Sequence, residues 1–305
     1  MATANRGGLT VGITTRNRPQ SLQRCLSSLE VLGDLLTEVI VVDDSSDPPV
    51  AAAMSGVPAS ITARTRIVRQ DGSEGYIVGR NTIMRVAGTE YVLLLDDDAY
   101  LLAGGRVVEA LALLEQHAEV AAIGCAQAEA DGRPWPAGMQ PAPVSHRCRV
   151  PSYIGFAHIL RRSTFHEIGG YPEELHFYGE EKIFCARLLR AGYHVVYLPD
   201  LLVAHVPDPG GRSTARYLRY VVRNDCLFAL YNLPWPAMCV SLPVRLARYF
   251  SMRSASSVSD RAGFAWIVSQ LVRALPRVLR SRTPMSWSNV SEWRRLRRDA
   301  PPWPA

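Results

Sequence analysis

Short apolar runs alternate with amphipathic stretches through the first 200 residues of this 305-residue chain. Residues 39–42 are a β-branched run that is typical of a buried strand, and residues 19–32 place leucines three or four positions apart, as a helix does. The alternation predicts an α/β fold, a mostly parallel sheet flanked by helices on both faces. Predicted strands cover 9–14, 39–42, 66–68, 91–95, 121–125, 154–160 and 195–197, and predicted helices cover 19–32, 77–87, 105–117, 162–168 and 180–191.

The last third of the chain has a different composition. Beyond Pro209, arginine-rich helical stretches are separated by prolines. We therefore predict two regions, a catalytic domain over residues 1–210 and a basic helical extension over 211–305. The content of 48% hydrophobic and 20% charged residues is that of an ordinary globular protein.

The charge is divided unevenly between these regions. The net charge is +6, but residues 1–208 hold 24 acids against 18 basic residues, whereas residues 209–305 hold 16 arginines against 4 acids. An excess of that size predicts an anionic partner for the extension, such as lipid headgroups, a diphosphate-bearing acceptor or nucleic acid.

Features of the chain predict a cytoplasmic protein. Residues 1–8 lack the apolar core of a secretory signal, and the six cysteines form no CxxC pair. Residues 226–244 lack Lys and Arg but are interrupted by Asn232 and three prolines, so we expect no membrane span there. This segment fits either an interfacial segment at the inner face of the membrane or a buried pair of helices.

Acidic residues follow two of the predicted strands. Asp43 and Asp44 end one strand, and Asp96, Asp97 and Asp98 end another. Ligands of such sheets bind beyond the carboxyl ends of the strands. Three adjacent carboxylates repel one another unless a cation neutralises them, and carboxylate oxygens are the ligands that Mg²⁺ and Mn²⁺ prefer. The alternative is a solvated acidic turn that caps the next helix.

Two further positions carry candidate chemistry. Glu180 and Glu181 lie at a predicted helix start, where acids are favoured by the helix dipole but could also serve as a general base. His205 follows an apolar run, so it is either a structural histidine or a third metal ligand beside the carboxylates. Residues 126–150 are rich in Pro, Gly and Ala and predict a long loop of the functional kind.

The order of these motifs resembles that of family 2 glycosyltransferases, over roughly residues 9–230. The motifs are Val-Gly-Ile-Thr-Thr-Arg-Asn-Arg-Pro (11–19), Val-Val-Asp-Asp-Ser-Ser (41–46), Gly-Arg-Asn (79–81), Leu-Asp-Asp-Asp (95–98), Gly-Glu-Glu (179–181) and His205. Residues 178–197 and 217–224 are similar to the rhamnosyltransferase-like branch of the family.

The resemblance implies a GT-A fold and inverting transfer of a sugar from a UDP-, dTDP- or GDP-sugar donor. By position, Thr14, Arg16 and Asp43 would line the base and ribose pocket, and Arg80 would lie near the nucleotide. The acceptor would be a glycan, a lipid-linked molecule or a small molecule, in surface glycan or natural-product glycoside biosynthesis.

The resemblance also assigns the metal site. Asp96 and Asp98 match the DxD motif of the family and would hold Mg²⁺ or Mn²⁺, with His205 completing the site. Asp96 and Asp97 would also belong to the residues that bind the nucleotide-sugar donor.

The same motif set implies a catalytic base. Glu181 matches the second acid of the Glu-Asp pair of the family. The family more often has Asp at that position, and Glu is longer by one methylene, so Glu180 is the alternative.

Other functions fit the residues less well. A sugar-phosphate nucleotidyltransferase, the main alternative, should carry an amino-terminal Gly-rich loop and several phosphate-binding lysines, but Lys182 is the single lysine. A dinucleotide dehydrogenase requires GxGxxG after the first strand. A processive polysaccharide synthase requires membrane helices and QxxRW. A nucleic-acid-binding protein leaves the acidic strand ends unexplained, so we expect no nucleic acid partner.

Overall fold

The structure is a computed structural model that describes residues 5–207 and 213–304. Within these residues it contains nine strands in one sheet and ten α-helices. The strands are β1 (Asn5–Thr15), β2 (Leu36–Asp43), β3 (Thr65–Arg69), β4 (Thr89–Asp96), β5 (Ala99–Leu101), β6 (Val120–Ala128), β7 (Cys148–Arg149), β8 (Ala157–Arg161) and β9 (His194–His205). The helices are α1 (Pro19–Ser28), α2 (Ala59–Thr62), α3 (Tyr76–Val86), α4 (Gly105–Gln116), α5 (Arg162–Glu167), α6 (Glu180–Arg190), α7 (Thr214–Asn232), α8 (Trp235–Ala255), α9 (Gly263–Ser281) and α10 (Trp287–Asp299).

The strand order is β3-β2-β1-β4-β8-β6-β9-β5, with β7 also paired to β9. Strands β1 to β4 are mutually parallel, β8 is antiparallel to both β4 and β6, and β9 is parallel to β6. Most strands therefore run in one direction, which confirms the predicted mostly parallel α/β sheet. The reversed β8 was not predicted, because hydrophobic periodicity carries no information on strand direction.

Two apolar layers cover the sheet. Alternate residues of each strand point to opposite faces, so Val92 and Leu94 of β4 join the core beneath α3, α6 and α7, whereas Leu93 and Leu95 join the core beneath α1 and α4. Both faces of β4 and β6 are covered, and this explains their nearly uninterrupted apolar sequences.

Some predicted boundaries are wrong. The helix expected over 19–32 ends at Ser28 and continues as a 3₁₀ segment, in which Gly33 has a φ of +52°. The strand expected over 154–160 is Ala157–Arg161, because residues 151–156 form a loop. The long loop begins at residue 129, since β6 continues to Ala128, and it contains the two-residue strand β7.

The carboxyl-terminal helices confirm the predicted arginine-rich helical extension. Helix α7 packs against α6, α8 and α9, and its buried residues share one hydrophobic core with β2 and β4. The predicted division between residues 210 and 211 lies outside the described residues. Of the segment 226–244, residues 226–233 are buried. No described helix is long and apolar enough to cross a membrane.

Candidate active site

The ends of β4 and β9 bring three predicted metal ligands together. Asp96 is the last residue of β4 and His205 the last of β9. The short strand β5 runs back along β9 and pairs Ala99 with His205, so that Asp98 lies beside the imidazole. The Nε2 atom of His205 is 3.5 Å from Oδ1 of Asp98. Among the described residues, ligand atoms of Asp96, Asp98 and His205 lie within 4.8 Å of one another.

This separation fits a single divalent cation. Opposite ligands of one Mg²⁺ ion lie about 4.2 Å apart, so small side-chain movements would bring the three groups into one coordination shell. Burial raises the pKa of Asp96, Arg80 opposes the shift, and Asp98 adds to it. A cation between the two carboxylates would relieve that repulsion.

The imidazole of His205 is fixed by its neighbours. Its Nδ1 atom donates to Oε1 of Gln127 at 2.8 Å, while the amide nitrogen of Gln127 is held by the carbonyl of Met139 at 2.5 Å. The ring is stacked between Trp135 and Phe156, with centroid distances of 5.4 and 4.9 Å. A proton on Nδ1 leaves the Nε2 lone pair facing Asp98, which is the tautomer that a metal ligand requires.

Asp97 points away from this cluster. Its carboxylate accepts hydrogen bonds from Oγ1 of Thr15 at 2.7 Å and from Nη1 of Arg18 at 3.0 Å. Burial raises the pKa of Asp97 to about 6 against the opposing effects of Arg18 and Thr15. These two contacts tie the carboxylate of Asp97, at the end of β4, to the turn after β1.

Arg80 on α3 joins the metal-ligand cluster to Glu180, the alternative candidate for the base. Its guanidinium is buried and donates from Nη2 to Asp96 Oδ1 and to the carbonyl of Gly155, each at 2.6 Å. Its Nη1 atom donates to Glu180 Oε1, also at 2.6 Å. Burial opposes the charged form, but the two carboxylates outweigh it and hold the pKa of Arg80 above its usual value.

Glu180 is enclosed at the start of α6. Its second oxygen accepts from the hydroxyl of Tyr76 at 3.1 Å, and that hydroxyl accepts in turn from the backbone N–H of Tyr178 at 2.7 Å. Burial and the neighbouring Glu181 raise the pKa of Glu180, while Arg80 lowers it. Both Glu180 oxygens thus have partners within the protein.

Glu181 differs from its neighbour. The residue is half-buried, and its Oε2 atom is shielded from solvent without a hydrogen-bond partner in the described residues. A buried acceptor without a partner is uncommon in folded proteins and calls for an explanation, such as a group that is bound during function. Of the two acids, Glu181 is therefore the one with a carboxylate oxygen that no group in the described residues binds.

The residues predicted to contact the nucleobase and the ribose lie at the same edge of the sheet. Each of them contacts neighbouring residues of the protein. Thr14 packs against Gly79. Arg16 donates to Ser73 at 2.6 Å, and Ser73 in turn donates to Asp44. Burial opposes ionisation of Asp43, but hydrogen bonds from Ser46, Val50 and Arg69 outweigh it and lower its pKa.

A cavity of about 340 Å³ lies next to these residues, between the start of α1 and the loop after β2. Its lining comprises Thr15, Asn17, Arg18, Pro19, Leu22, Ser46, Asp47, Pro48, Pro49, Val50, Ala52 and Ala53. The sequence analysis missed this lining and the contacts of Arg18, Tyr76, Gln127, Trp135 and Phe156. Of these five residues, only Arg18 lies within one of the motifs, residues 11–19, so its position could have indicated a role.

The sheet, its flanking helices and the acidic edge define a GT-A-like α/β fold, and solved structures share it. A mannosyltransferase from Pyrobaculum calidifontis, in complex with GDP-Man and Mn²⁺, aligns with a TM-score of 0.60 at 17% identity, over 95% of this chain and 84% of that one. S. aureus TarS (residues 1–349) aligns with a TM-score of 0.58 at 19% identity, over 90% and 81% of the two chains.

The sequence profile described as Glycosyl transferase family 2 matches residues 10–178, more than half of the chain. The protein belongs to this family, which confirms the family-level resemblance. The pre-mycofactocin glycosyltransferase of Mycobacterium tuberculosis is 30% identical over 216 residues, which are 65% of this chain. The match spans 42% of that relative, less than half its length.

Proposed function

We propose that this chain is a metal-dependent glycosyltransferase that moves a sugar from a nucleoside diphosphate sugar to an acceptor hydroxyl, with inversion of configuration. The observation that carries the proposal is the convergence of Asp96, Asp98 and His205 within 4.8 Å at the carboxyl edge of the sheet. Membership of family 2 and the GT-A-like fold support the same reaction class.

Each group of the site has a part in this proposal. Asp96, Asp98 and His205 would hold Mg²⁺ or Mn²⁺, which supplies Lewis-acid stabilisation of the departing diphosphate. Arg80 keeps the carboxylate of Asp96 oriented and balances the buried charge of Glu180. Glu181 would accept the proton of the acceptor hydroxyl as that oxygen attacks the anomeric carbon from the face opposite the diphosphate, and a single displacement inverts the configuration.

The donor is proposed as a UDP-, dTDP- or GDP-sugar. Thr14, Arg16 and Asp43 would contact the base and ribose from the edge of the sheet. Structures that share the fold are complexes with GDP-Man, with UDP and with UDP-GlcNAc. These ligands belong to those proteins and support the donor class for this one.

The acceptor is proposed as a glycan, a lipid-linked molecule or a small molecule, in surface glycan or natural-product glycoside biosynthesis. We further propose that the chain belongs to the rhamnosyltransferase-like branch, a proposal supported by the similarity of residues 178–197 and 217–224 to that branch. Residues 1–210 would form the catalytic domain and 211–305 the region that meets the acceptor or a membrane surface. The six cysteines are free thiols and five are buried, consistent with a reducing cytoplasmic compartment.

A donor screen tests the proposal. The full chain is incubated with UDP-, dTDP- and GDP-sugars in Mn²⁺ or Mg²⁺, and release of the nucleoside diphosphate is measured. We expect turnover that excess chelator abolishes and that added Mn²⁺ restores. Undiminished turnover in chelator would contradict metal dependence.

The same assay separates the alternative function. A sugar-phosphate nucleotidyltransferase would release pyrophosphate from a nucleoside triphosphate and a sugar 1-phosphate. Pyrophosphate release from that pair, with no hydrolysis or transfer from any nucleoside diphosphate sugar, would show that the protein is a sugar-phosphate nucleotidyltransferase and not a glycosyltransferase.

A further inference from the structure

Helices α8 and α9 expose apolar side chains that are normally buried. Nine of the thirteen most exposed large hydrophobic residues in the described chain lie between Trp235 and Trp287. On α8, Val240 and Val244 are 74% and 69% exposed. Exposed apolar residues are common singly, but a contiguous set marks an interaction surface.

The exposed residues of α9 form a regular stripe. Val268, Val272, Leu275 and Leu279 follow one another at intervals of four, three and four residues, which places them on one face of the helix. A neighbouring face, with Ile267, Leu271 and Val278, is already buried against the protein. The stripe is thus additional to the face that the fold itself requires.

On α8 the stripe is made by Pro236, Val240, Pro243, Val244 and Ala247, all solvent-exposed and uncharged. The two helices both pack on α7 and come together at both ends. The ring centroids of Phe250 and Phe264 are 4.8 Å apart, and the guanidinium of Arg282, which follows α9, lies 4.6 Å from the Trp235 ring. The two helices run antiparallel. Phe250 lies one turn beyond Ala247 and Phe264 one turn before Val268, so their contact joins the two stripes, which together are called here the α8–α9 surface.

The exposed charge of this surface is positive and lies mainly on α9, because Arg245 and Arg248 of α8 pair with Asp225 of α7. Between residues 235 and 281 the chain contains seven arginines and a single acid, Asp260. Asp260 is buried and bound by Arg219 and Tyr249, so it contributes no free negative charge. Arg273, Arg277 and Arg280 are exposed on α9 beside the stripe.

We infer that the α8–α9 surface docks on an anionic lipid membrane, with both helices lying in the plane of the interface. An apolar face flanked by arginines and free of acids combines the two interactions that hold such helices, burial among acyl chains and attraction to anionic headgroups. The inference does not depend on the transfer reaction.

Two other occupants fit the surface less well. A second copy packed through the same face would place arginines against arginines, with no free acid on either side to pair them. A nucleic acid would neutralise the arginines but would leave the Val and Leu stripes in water. An anionic membrane accounts for both features.

Vesicle flotation of the full chain tests the inference. We expect the protein to float with vesicles that contain 30% phosphatidylglycerol, to float less with pure phosphatidylcholine, and to be released by salt. Val272→Asp and Leu279→Asp should each lower the partition coefficient by about tenfold. Val108→Asp, at a site on α4 that is also exposed, should leave it unchanged.

Charge reversal supplies an independent readout. Arg273→Glu should lower partitioning roughly 25-fold on anionic vesicles and little on neutral ones, since each elementary charge near an anionic surface contributes about fivefold and the substitution changes the charge by two. Arg24→Glu on α1, an exposed arginine in the sheet domain, is its control. Melting temperatures confirm that each variant is folded.

Absence of wild-type flotation on anionic vesicles at low salt would overturn the inference, as would an equal loss in Val108→Asp. A wild-type dimer in light scattering that becomes monomeric in Val272→Asp, without vesicle binding, would assign the surface to a second copy instead.

Discussion

Arg80 and Glu180 form an ion pair that is sealed from solvent, with Nη1 of Arg80 2.6 Å from Oε1 of Glu180. The other arm of the same guanidinium binds Asp96 at 2.6 Å. One side chain therefore connects the cluster that is suited to a metal with the start of the helix that carries both candidate bases. The planar fork of arginine makes this possible, because it can hold two carboxylates in fixed directions at once.

Replacement of Arg80 by lysine should prevent the side chain from binding Glu180 and Asp96 at the same time. A lysine retains the charge but acts as a single point donor, so we expect kcat to fall roughly 100-fold through loss of orientation. Turnover and the apparent metal affinity are measured with the donor that the screen identifies. Arg85→Lys, an exposed arginine on the same helix, is the matched control. A wild-type kcat in Arg80→Lys would show that the contacts of Arg80 with Asp96 and Glu180 do not orient the site.

Loss of one metal ligand should remove activity. Asp98→Asn keeps the size of the side chain but removes the charge opposite His205, and we expect turnover to fall at least roughly 100-fold. Metal titration followed by nucleotide release measures the effect. Asp97→Asn is the comparison, because its carboxylate is bound by Thr15 and Arg18 rather than turned to the cluster. A greater loss of turnover in Asp97→Asn than in Asp98→Asn would indicate that Asp97, and not Asp98, is the metal ligand.

Gln127 should tune the metal affinity without taking part in the reaction. Its Oε1 accepts a hydrogen bond from Nδ1–H of His205 and so fixes the ring. Removal of such a support typically weakens metal binding 10–100-fold. We expect Gln127→Leu to raise the Mn²⁺ concentration required for half-maximal turnover by about tenfold, with kcat at saturating Mn²⁺ retained. Gln116→Leu, on the exposed end of α4, should match the wild type. An unchanged Mn²⁺ requirement in Gln127→Leu would show that Gln127 does not support metal binding by His205.

The sequence predicted which acidic residues lie at the edge of the sheet for one physical reason. Acids that follow buried apolar runs must lie at strand ends, and parallel strands bring their ends to one edge. This placed residues 96–98 and His205 at strand ends, whereas the choice of Asp96, Asp98 and His205 as the metal ligands came from the resemblance to family 2 glycosyltransferases.

The supporting contacts could not be predicted, since they join residues that are distant in sequence. Trp135 comes from a loop without periodicity, and its stacking on His205 depends on how that loop folds back. Asn224 of α7 donates to the carbonyls of Phe177 and Tyr178 at 2.7 and 2.6 Å and so holds the segment before Glu180. Neither contact leaves a local pattern.

The choice between Glu180 and Glu181 as the base can be decided by substitution. Glu181→Gln should retain donor binding, measured by calorimetry, and lose transfer by at least roughly 100-fold. Glu181→Asp, which restores the residue more common in the family, should recover part of the rate. Glu180→Gln removes the partner of a buried guanidinium, so it should lower the melting temperature as well as the rate. If Glu180→Gln alone abolished transfer at an unchanged melting temperature, Glu180 would be the base.

Asp260 should make the helical extension sensitive to acid. The hydrogen bond from Arg219 lowers the pKa of Asp260, burial opposes the shift, and the Tyr249 hydroxyl adds to the lowering. A carboxyl with a lowered pKa in the folded state stabilises the protein above its unfolded pKa of about 3.9. That contribution is lost as the pH falls through the lower folded value.

Asp260→Asn should therefore be less stable than the wild type at pH 7, by about 1–2 kcal/mol after allowance for the partly exposed Arg219. The difference should narrow below pH 4, because the wild-type carboxyl then takes up a proton and loses its advantage over the amide. Urea unfolding of both proteins between pH 3 and pH 7 measures it. Asp299→Asn, which breaks a surface pair with Arg298, should change stability little at any pH. A difference that stayed constant across the range would show that the charge of Asp260 contributes nothing to holding α7 against α8.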